Sequence, residues 1–408
     1  MIQNFIQFIT EQKNSHMTHV EDAVIYGGVN GTRQAINAMR DMRDMLGGKH
    51  AGTVSVKWDG APAVFAGTDP SDGRFFVAKK GIFNKNPKVY KTPQEVEDDT
   101  SGDLADKLKA ALKYLPELGI KGVLQGDLMF GPGDVKVETI DTKKYVTFHP
   151  NTILYAVPYE QAKAVRQAKI GIVWHTSYTG SSFETMKASF NADASSLKKS
   201  KNVWYQDSNL KNLERATLSK KETEQVNQHL SQIGKLFNNI SGTTLRQLEG
   251  HPELTQTIET FSNTFVRKGE IMKSPAAHTT ALIRYIKTKY KKEIDKRKSE
   301  KGKKAQRDKL SSILTFFSDE NKISLIKLFE LQRLIVVVKL ILIKKLNSLS
   351  SIDTFVRTKD GYKVTGDEGY VAIDKMSGGA LKLVDRMQFS YANFSPDIIK
   401  GWESASRN

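Results

Sequence analysis

The sequence has no cysteine in its 408 residues. This absence excludes disulfides, thiolate metal ligands and cysteine nucleophiles, and it is compatible with a reducing compartment. Long apolar runs are also lacking, because no stretch reaches the roughly 18 consecutive apolar residues of a membrane span. The most apolar segment, 334–343, contains Lys339, so we expect a buried helix or strand there. Residues 1–8 lack the basic start and cleavage site of a secretory signal, and we therefore expect a cytoplasmic protein.

Acidic residues are in the minority. The chain has 62 Lys and Arg against 45 Asp and Glu, a formal net charge of +17, which favours a polyanionic partner. Between Arg284 and Lys309 thirteen basic residues stand against four acidic ones. A solvated helix face is the plainer interpretation of this run, but the concentration of charge favours contact with nucleic-acid phosphates. The candidate contacts are Lys289, Lys291, Lys292, Arg297, Lys301 and Lys304.

The pattern of residues predicts an α+β protein in which a helical segment interrupts a strand-rich body. Apolar residues at helical spacing, among them Phe5, Phe8 and Ile9, predict helices up to about residue 50. Alternating and β-branched runs predict strands at 53–58, 63–66, 75–78, 122–130, 152–157, 369–373 and 380–384, and a helix at 104–115 precedes Pro116. The predicted organisation is a helical segment (1–50), a first body part (51–180), a helical, basic insertion (181–350) and a second body part (351–408).

Lys57-Trp58-Asp59-Gly60 is the most informative motif. It places a lysine at the end of a predicted strand, immediately before a turn. Burial and neighbouring cations would lower the pKa of such an amine and make it a nucleophile. The same four residues alone also suit a surface lysine before an ordinary hairpin turn.

Further motifs follow in a fixed order, and with them the chain resembles the covalent nucleotidyltransferases, the superfamily of DNA ligases, RNA ligases and mRNA-capping enzymes. Lys57-Trp-Asp-Gly60 is similar to the nucleophile motif of that superfamily. The later elements are Lys79-Lys80-Gly81, Leu124-Gln-Gly-Asp-Leu-Met129, Thr152-Ile-Leu-Tyr-Ala-Val-Pro158, Glu368-Gly-Tyr-Val371 and Leu381-Lys-Leu-Val384.

The resemblance implies a ligase-type adenylation domain with a role for each motif. Lys57 would form a covalent lysyl-AMP with ATP, and Asp59 and Gly60 would belong to the nucleotide site. Asp127 and Glu368 would bind Mg²⁺. The remaining implied contacts are Lys80 and Lys382 with phosphate, Tyr155 with the base, and Lys79 with the nucleic-acid strand.

Each of these later residues also has a simpler interpretation from the local pattern. Asp127 could cap a turn, and Glu368 lies in a sequence typical of a hairpin turn. Lys382 could occupy the solvated face of a strand, and Tyr155 could belong to the core.

Some positions depart from the superfamily pattern. Pro62 replaces the usual Arg or Asn five residues after the nucleophile. The final Lys-x-Lys motif is reduced to Lys382, with Ala380 and Val384 beside it, and Arg386 is a candidate replacement. The long separation of Asp127 from Glu368 implies a helical domain inserted between the motifs. The 26 residues after Lys382 leave no room for the C-terminal barrel of DNA ligases, which favours the RNA-ligase branch.

The expected function is therefore an ATP-dependent RNA or DNA ligase that seals 5′-phosphate to 3′-hydroxyl ends. Two alternatives remain open at this stage: a nucleotidyltransferase with another acceptor, and an inactive nucleic-acid-binding relative. Among the minor motifs, His16 and His19 are too few for a zinc site. Residues 27–31 lack the ending of a P-loop and predict a loop between helices. Ser274-Pro275 predicts a helix start.

Overall fold

In a computed structural model, residues 17–48, 53–190, 192–210, 216–349, 352–373 and 380–402 are described. Strands and helices alternate along the first half of this part, and a run of helices separates it from the last strands. The strands are β1 (Thr18–His19), β2 (Thr53–Lys57), β3 (Ala63–Thr68), β4 (Phe75–Ala78), β5 (Val123–Phe130), β6 (Lys136–Ile140), β7 (Lys143–Phe148), β8 (Ile153–Pro158), β9 (Ile170–Thr179), β10 (Lys187–Ser189), β11 (Val203–Asp207), β12 (Asp353–Thr358), β13 (Gly361–Val364), β14 (Gly369–Ile373), β15 (Ala380–Leu383) and β16 (Ile398–Ile399).

The helices complete the mixed α/β architecture that the sequence predicts. They are α1 (Ala23–Tyr26), α2 (Gly28–Met45), α3 (Pro93–Asp99), α4 (Gly102–Tyr114), α5 (Lys163–Gln167), α6 (Lys220–Asn238), α7 (Gly242–Glu249), α8 (Pro252–Arg267), α9 (Pro275–Asp295), α10 (Glu300–Thr315), α11 (Asp319–Leu346) and α12 (Arg386–Phe394). Short 3₁₀ turns lie at Lys80–Phe83, Leu115–Leu118, Tyr159–Gln161 and Asn347–Leu349.

The strands form three sheets. In the first sheet the order is β1-β15-β14-β2, so the earliest and latest parts of the described chain are neighbours. The second sheet has the order β10-β9-β5-β3-β4, with β11 also paired to β9. The third has the order β13-β12-β8-β7-β6, with β16 on β12. Strands from before and after the helical run therefore share both the first and the third sheet.

The helices α6–α11 surround a core that also includes α1, α2 and one face of the first sheet. Tyr370 and Leu383 contribute from that sheet, and Met39 and Met42 from α2. The apolar segment 334–343 lies within α11, which confirms a buried element there. No helix in the described ranges is long and apolar enough to cross a membrane.

Most predicted elements agree with the structure. The seven predicted strands are present, Tyr114 ends the helix that precedes Pro116, and Ser274 caps α9 by accepting a hydrogen bond from the Ala277 N–H (3.3 Å). The capping follows the preference for serine before a helix with proline at its first position. Phe5, Phe8, Ile9 and His16 lie outside the described residues.

Two of the predicted segments are wrong in part. The segment after residue 181 is not helical at first, because β10 and β11 pair with β9 and the helices begin only at Lys220. The glycines of 27–31 are not simply a loop, since Gly28–Gly31 form the first turn of α2. A Cβ on Gly31 would lie 2.3 Å from the carbonyl oxygen of Ala23. Glycine is required there because α1 and α2 cross in direct backbone contact.

Candidate active site

Lys57 and Glu368 meet although they lie in distant parts of the chain. Lys57 ends β2, and its backbone is opposite Gly369 in β14, so Glu368 is brought alongside it. The Lys57 Nζ forms an ion pair with Glu368 Oε1. The Lys57 side chain is 28% exposed and that of Glu368 8%. Antiparallel register, set by the alternating pattern of both strands, therefore joins the two motifs.

The ion pair overturns one expectation from the sequence. Burial by itself would lower the pKa of the Lys57 ammonium, but the adjacent Glu368 carboxylate outweighs burial and raises that pKa. Without nucleotide, Lys57 is therefore a protonated ammonium paired with Glu368 rather than a free amine. For Glu368, burial raises the carboxyl pKa more than Lys57 lowers it. The pair fixes the amine in one position, and attack would require loss of its proton.

Asp59 fixes the turn that follows Lys57. Its carboxylate is 5% exposed and accepts three hydrogen bonds from one loop: the Asn151 side-chain amide (2.9 Å), the Thr152 N–H (2.7 Å) and the Ile153 N–H (2.8 Å). Burial raises the carboxyl pKa to about 7, against the effect of these donors. The role of Asp59 in this structure is to join the Lys57 turn to the start of β8.

Gly60 packs directly against β5 at Asp127, the residue that the sequence predicts as a metal ligand. A Cβ at Gly60 would be 2.8 Å from the Cβ of Asp127 and 2.9 Å from the Leu128 carbonyl oxygen. Hydrogen bonds on both sides of Leu128, to Ala61 and Pro62, hold the two segments together. The glycine of the motif therefore allows Asp127 to approach the lysine turn.

A pocket lies between the first and second sheets at Lys57. Asp127 lines it with a side chain that is 23% exposed, and His175 Nε2 is 3.7 Å from Asp127 Oδ2. The electrostatic influence of Asp127 extends to both Lys57 and Glu368. The other lining residues are Met17, Ser55, Val56, Trp58, Val173, Thr176, Phe190, Ser208 and Val371.

Lys382 lies close enough to this cluster to interact with it electrostatically. It is in β15 opposite Val371. Burial lowers the pKa of its ammonium, the positive charges of Lys57 and Lys80 lower it further, and Glu368 raises it. Lys80 is exposed at the start of a 3₁₀ turn. Three cations and two carboxylates are therefore grouped at one place, an arrangement suited to a polyanionic ligand.

Three side chains lie elsewhere than the resemblance implies. Tyr155 is 1% exposed; its ring stacks on Trp58 (5.1 Å between centroids) and its hydroxyl accepts the Asp59 N–H (2.7 Å). It is a core residue that supports the turn and does not offer a face to a base. Lys79 pairs with Asp99 at 3.2 Å. Arg386 is bound to Asp22 (3.1 Å) and so does not replace the missing second lysine at the phosphate site.

The carboxylates at the pocket fit Mg²⁺ only together with a ligand. In the described ranges no three His, Asp or Glu side chains are grouped so as to hold a metal by themselves. Asp127 lines the pocket and Glu368 is paired with Lys57 beside it, so the two carboxylates supply hard oxygen donors near the same lysine. Mg²⁺ in nucleotide sites is usually held by one or two carboxylates with phosphate oxygens and water, and these two residues meet that requirement.

A family model described as "family of unknown function (DUF6267)" matches residues 14–397. The chain belongs to this family. No curated protein and no solved structure matches it. Every element that builds the pocket, from β1 to α12, lies within the part that the DUF6267 model covers.

The predicted basic surface of this DUF6267 member divides into paired and unpaired cations. Lys289 is half-buried and donates to the Thr257 hydroxyl (3.1 Å), and Lys304 pairs with Asp308 (2.9 Å). The basic hairpin, which we define by its exposed cations on α9, on α10 and on the link between them, has no ion pairs at seven positions within the described ranges. These are Arg284, Lys287, Lys291, Lys292, Arg297, Lys298 and Lys301.

Sequence reasoning missed His175, Ser208, Asn151 and Lys287. His175 had a usable signal, because it lies two residues after Val173 and residues two apart in a strand face the same side. Both side chains line the pocket. Asn151 and Ser208 gave none, since their contribution depends on loops whose positions only the fold determines.

Proposed function

We propose that the chain is an ATP-dependent nucleotidyltransferase that forms a lysyl-AMP at Lys57 and serves as a polynucleotide ligase. The observation that carries the proposal is the cluster of charged side chains around Lys57. Lys57, Asp127, Glu368, Lys382 and Lys80 come from five separate segments of sequence and interact at one place. A set of separate turn and strand residues would have no reason to converge in this way.

Each group has a defined task in the proposed reaction. The Lys57 ammonium releases one proton to water to become the amine that attacks the α-phosphorus of ATP, and a second as the N–P bond forms; the P–O bond to the pyrophosphate leaving group breaks in the same step. Glu368 aims the amine before attack, and Lys382 and Lys80 offset the charge that accumulates on pyrophosphate. Asp127 and Glu368 would hold Mg²⁺ with the triphosphate, where the metal would neutralise phosphate charge.

The ligase part of the proposal is supported by the basic hairpin. Its seven unpaired cations give a surface for phosphates of a strand, and the overall charge of +17 would attract a polyanion. In the proposed later steps AMP passes from Lys57 to a 5′-phosphate end, and a 3′-hydroxyl then displaces it.

The test of the first step is transfer of label from ATP that is labelled at its α-phosphate. We expect covalent label that survives denaturation, depends on Mg²⁺ and is absent when the γ-phosphate carries the label. Lys57→Arg keeps the charge but not the nucleophile, and should abolish labelling. Lys359→Arg, an exposed lysine in the turn between β12 and β13, is the matched control and should label normally.

The same protein then distinguishes the possible acceptors. Sealing of nicked or single-stranded RNA or DNA supports the ligase. Labelling without sealing of any strand would favour another acceptor. Nucleic-acid binding without labelling, unaffected by Lys57→Arg, would instead identify an inactive relative.

A further inference from the structure

Strand β1 is two residues long and pairs with β15 directly at Lys382. Thr18 lies opposite Leu381 and His19 opposite Lys382, and the Val20 N–H donates to the Lys382 carbonyl oxygen at 3.0 Å. So short a strand has few ladder hydrogen bonds of its own. Its position must therefore depend on contacts made by the residues that follow it.

Those contacts are buried charges. Glu21 is 3% exposed, and its Oε1 is 2.7 Å from the Nζ of Lys339, which is 1% exposed. Asp22 is 5% exposed and binds the Arg386 guanidinium at 3.1 Å. We call Glu21, Asp22, Lys339 and Arg386 the buried clamp.

The clamp joins three parts of the molecule. Lys339 lies in α11 of the helical part, and Gln332 of the same helix donates to the Glu21 carbonyl oxygen (3.1 Å). Arg386 begins α12, shortly after Lys382, and also binds Asn263 of α8. Strand β1 is thus attached on one side to the helices and on the other to the strand that carries Lys382.

Stability alone does not account for three buried ionisable side chains and a partly buried arginine. Desolvation of a buried ion pair offsets most of its Coulomb attraction, and apolar residues of similar size often serve equally well. What such a pair supplies is a defined geometry, because a displaced partner leaves a charge buried without compensation. Here the geometry that is defined is the register of β1 against β15.

We propose that Glu21 and Asp22 are positioning residues: through β1 they hold β15 so that Lys382 stays beside Lys57 and Glu368. The helical part is then a scaffold for the phosphate site as well as a surface for a strand. This inference rests on the proposed function for its catalytic consequence, whereas its structural consequence can be measured without any activity.

The experiment uses the full chain and the variant Glu21→Gln. Hydrogen exchange of residues 380–383 should accelerate by about tenfold or more, since the register of β15 is loosened, while exchange in β5 should stay within about twofold. With saturating ATP, the rate of Lys57 labelling should fall by about tenfold with less than about a threefold change in the KM for ATP, because Lys382 acts on charge that develops in the transition state. Glu330→Gln, which removes a half-buried pair with Arg333 in α11, the helix of Lys339, is the matched control.

A second variant, Glu21→Met with Lys339→Met, removes both charges and keeps the length of the side chains. It should restore the free energy of unfolding towards the wild-type value, since no uncompensated charge remains, but exchange of β15 should stay accelerated, because an apolar pair does not penalise a displaced β1 in this way. Equal acceleration of exchange in β5 and β15 would reduce the clamp to general stability and overturn the proposal. Unchanged β15 exchange in Glu21→Gln would also overturn it. If β15 exchange accelerates in Glu21→Gln but the wild type itself does not label, the result counts against the proposed function and not against the clamp.

Discussion

Replacement of Asp59 offers a quantitative test of how the lysine turn is built. Both backbone donors, the Thr152 and Ile153 N–H groups, bind the same oxygen, Oδ2, while the Asn151 amide binds Oδ1. Asp59→Asn can therefore place its amide oxygen at the Oδ2 position and keep both backbone bonds. Asn151 can rotate its own amide to present oxygen to the new NH₂ group. Asp59→Ala keeps none of the three bonds.

The two substitutions should differ strongly in cost. In Asp59→Ala two buried backbone donors lose their acceptor, at about 1–3 kcal/mol each, so we expect a total loss of about 4 kcal/mol. In Asp59→Asn the bonds become neutral and weaker, but the burial that raises the pKa of Asp59 to about 7 no longer acts on a charge. These effects oppose one another, and we expect a net change of about 1 kcal/mol or less.

Equilibrium denaturation in urea, followed by tryptophan fluorescence, measures the difference, because Trp58 is adjacent to the turn. Hydrogen exchange of residues 152–153 localises it, and should be about 1,000-fold faster in Asp59→Ala, since each 1.4 kcal/mol corresponds to a factor of ten. Equal destabilisation by Ala and Asn would refute this account, because the negative charge and not the acceptor would then be what holds the loop.

Three further predictions concern other parts of the molecule. Gly60→Ala places a Cβ within 3 Å of β5 and should reduce Lys57 labelling at least about tenfold. At Gly234 an added Cβ would have no neighbouring atom nearer than 4.0 Å, so Gly234→Ala should label normally. Equal effects of the two substitutions on labelling would contradict the packing argument. Burial lowers the pKa of His278 from 6.5 to about 4, so the unfolded chain takes up a proton below pH 6.5 that the folded chain takes up only near pH 4. The free energy of unfolding should therefore decline as pH falls through this range, by about 2 kcal/mol at pH 5. Urea denaturation of His278→Leu should lack this part of the decline. If wild type and His278→Leu have the same pH dependence, His278 is not its source. Finally, Lys291→Gln with Lys292→Gln should reduce the slope of log affinity for a polynucleotide against log salt by about 1.5, measured by fluorescence anisotropy; an unchanged slope would place the strand elsewhere.

Seven of the strands could be predicted because their signals are local, whereas the order of strands in the sheets was not predicted. Alternation fixed β2, β5 and β14, and the motif order brought Lys57, Asp127 and Glu368 into one hypothesis before the fold was known. In the structure Lys57 and Asp127 line one pocket, and Glu368 forms an ion pair with Lys57. Their chemistry in a reaction remains a prediction.

The predictions that were wrong or left open concern residues whose surroundings are set by partners distant in sequence. The pKa of Lys57 is raised rather than lowered because Glu368 lies beside it, and no local pattern reports that pairing. Tyr155 was open between base contact and core; stacking on Trp58 decided for the core. Arg386 follows β15 closely in sequence, yet it binds Asp22 rather than joining the cluster at Lys382.

The central claim is that Lys57 is the nucleophile, and peptide mapping by tandem mass spectrometry tests it most directly. After incubation with ATP and Mg²⁺, the account predicts an AMP adduct on the peptide that contains Lys57, with fragment ions that place it on the ε-nitrogen. An adduct on any other residue, or an unmodified peptide from protein that binds ATP, would contradict it.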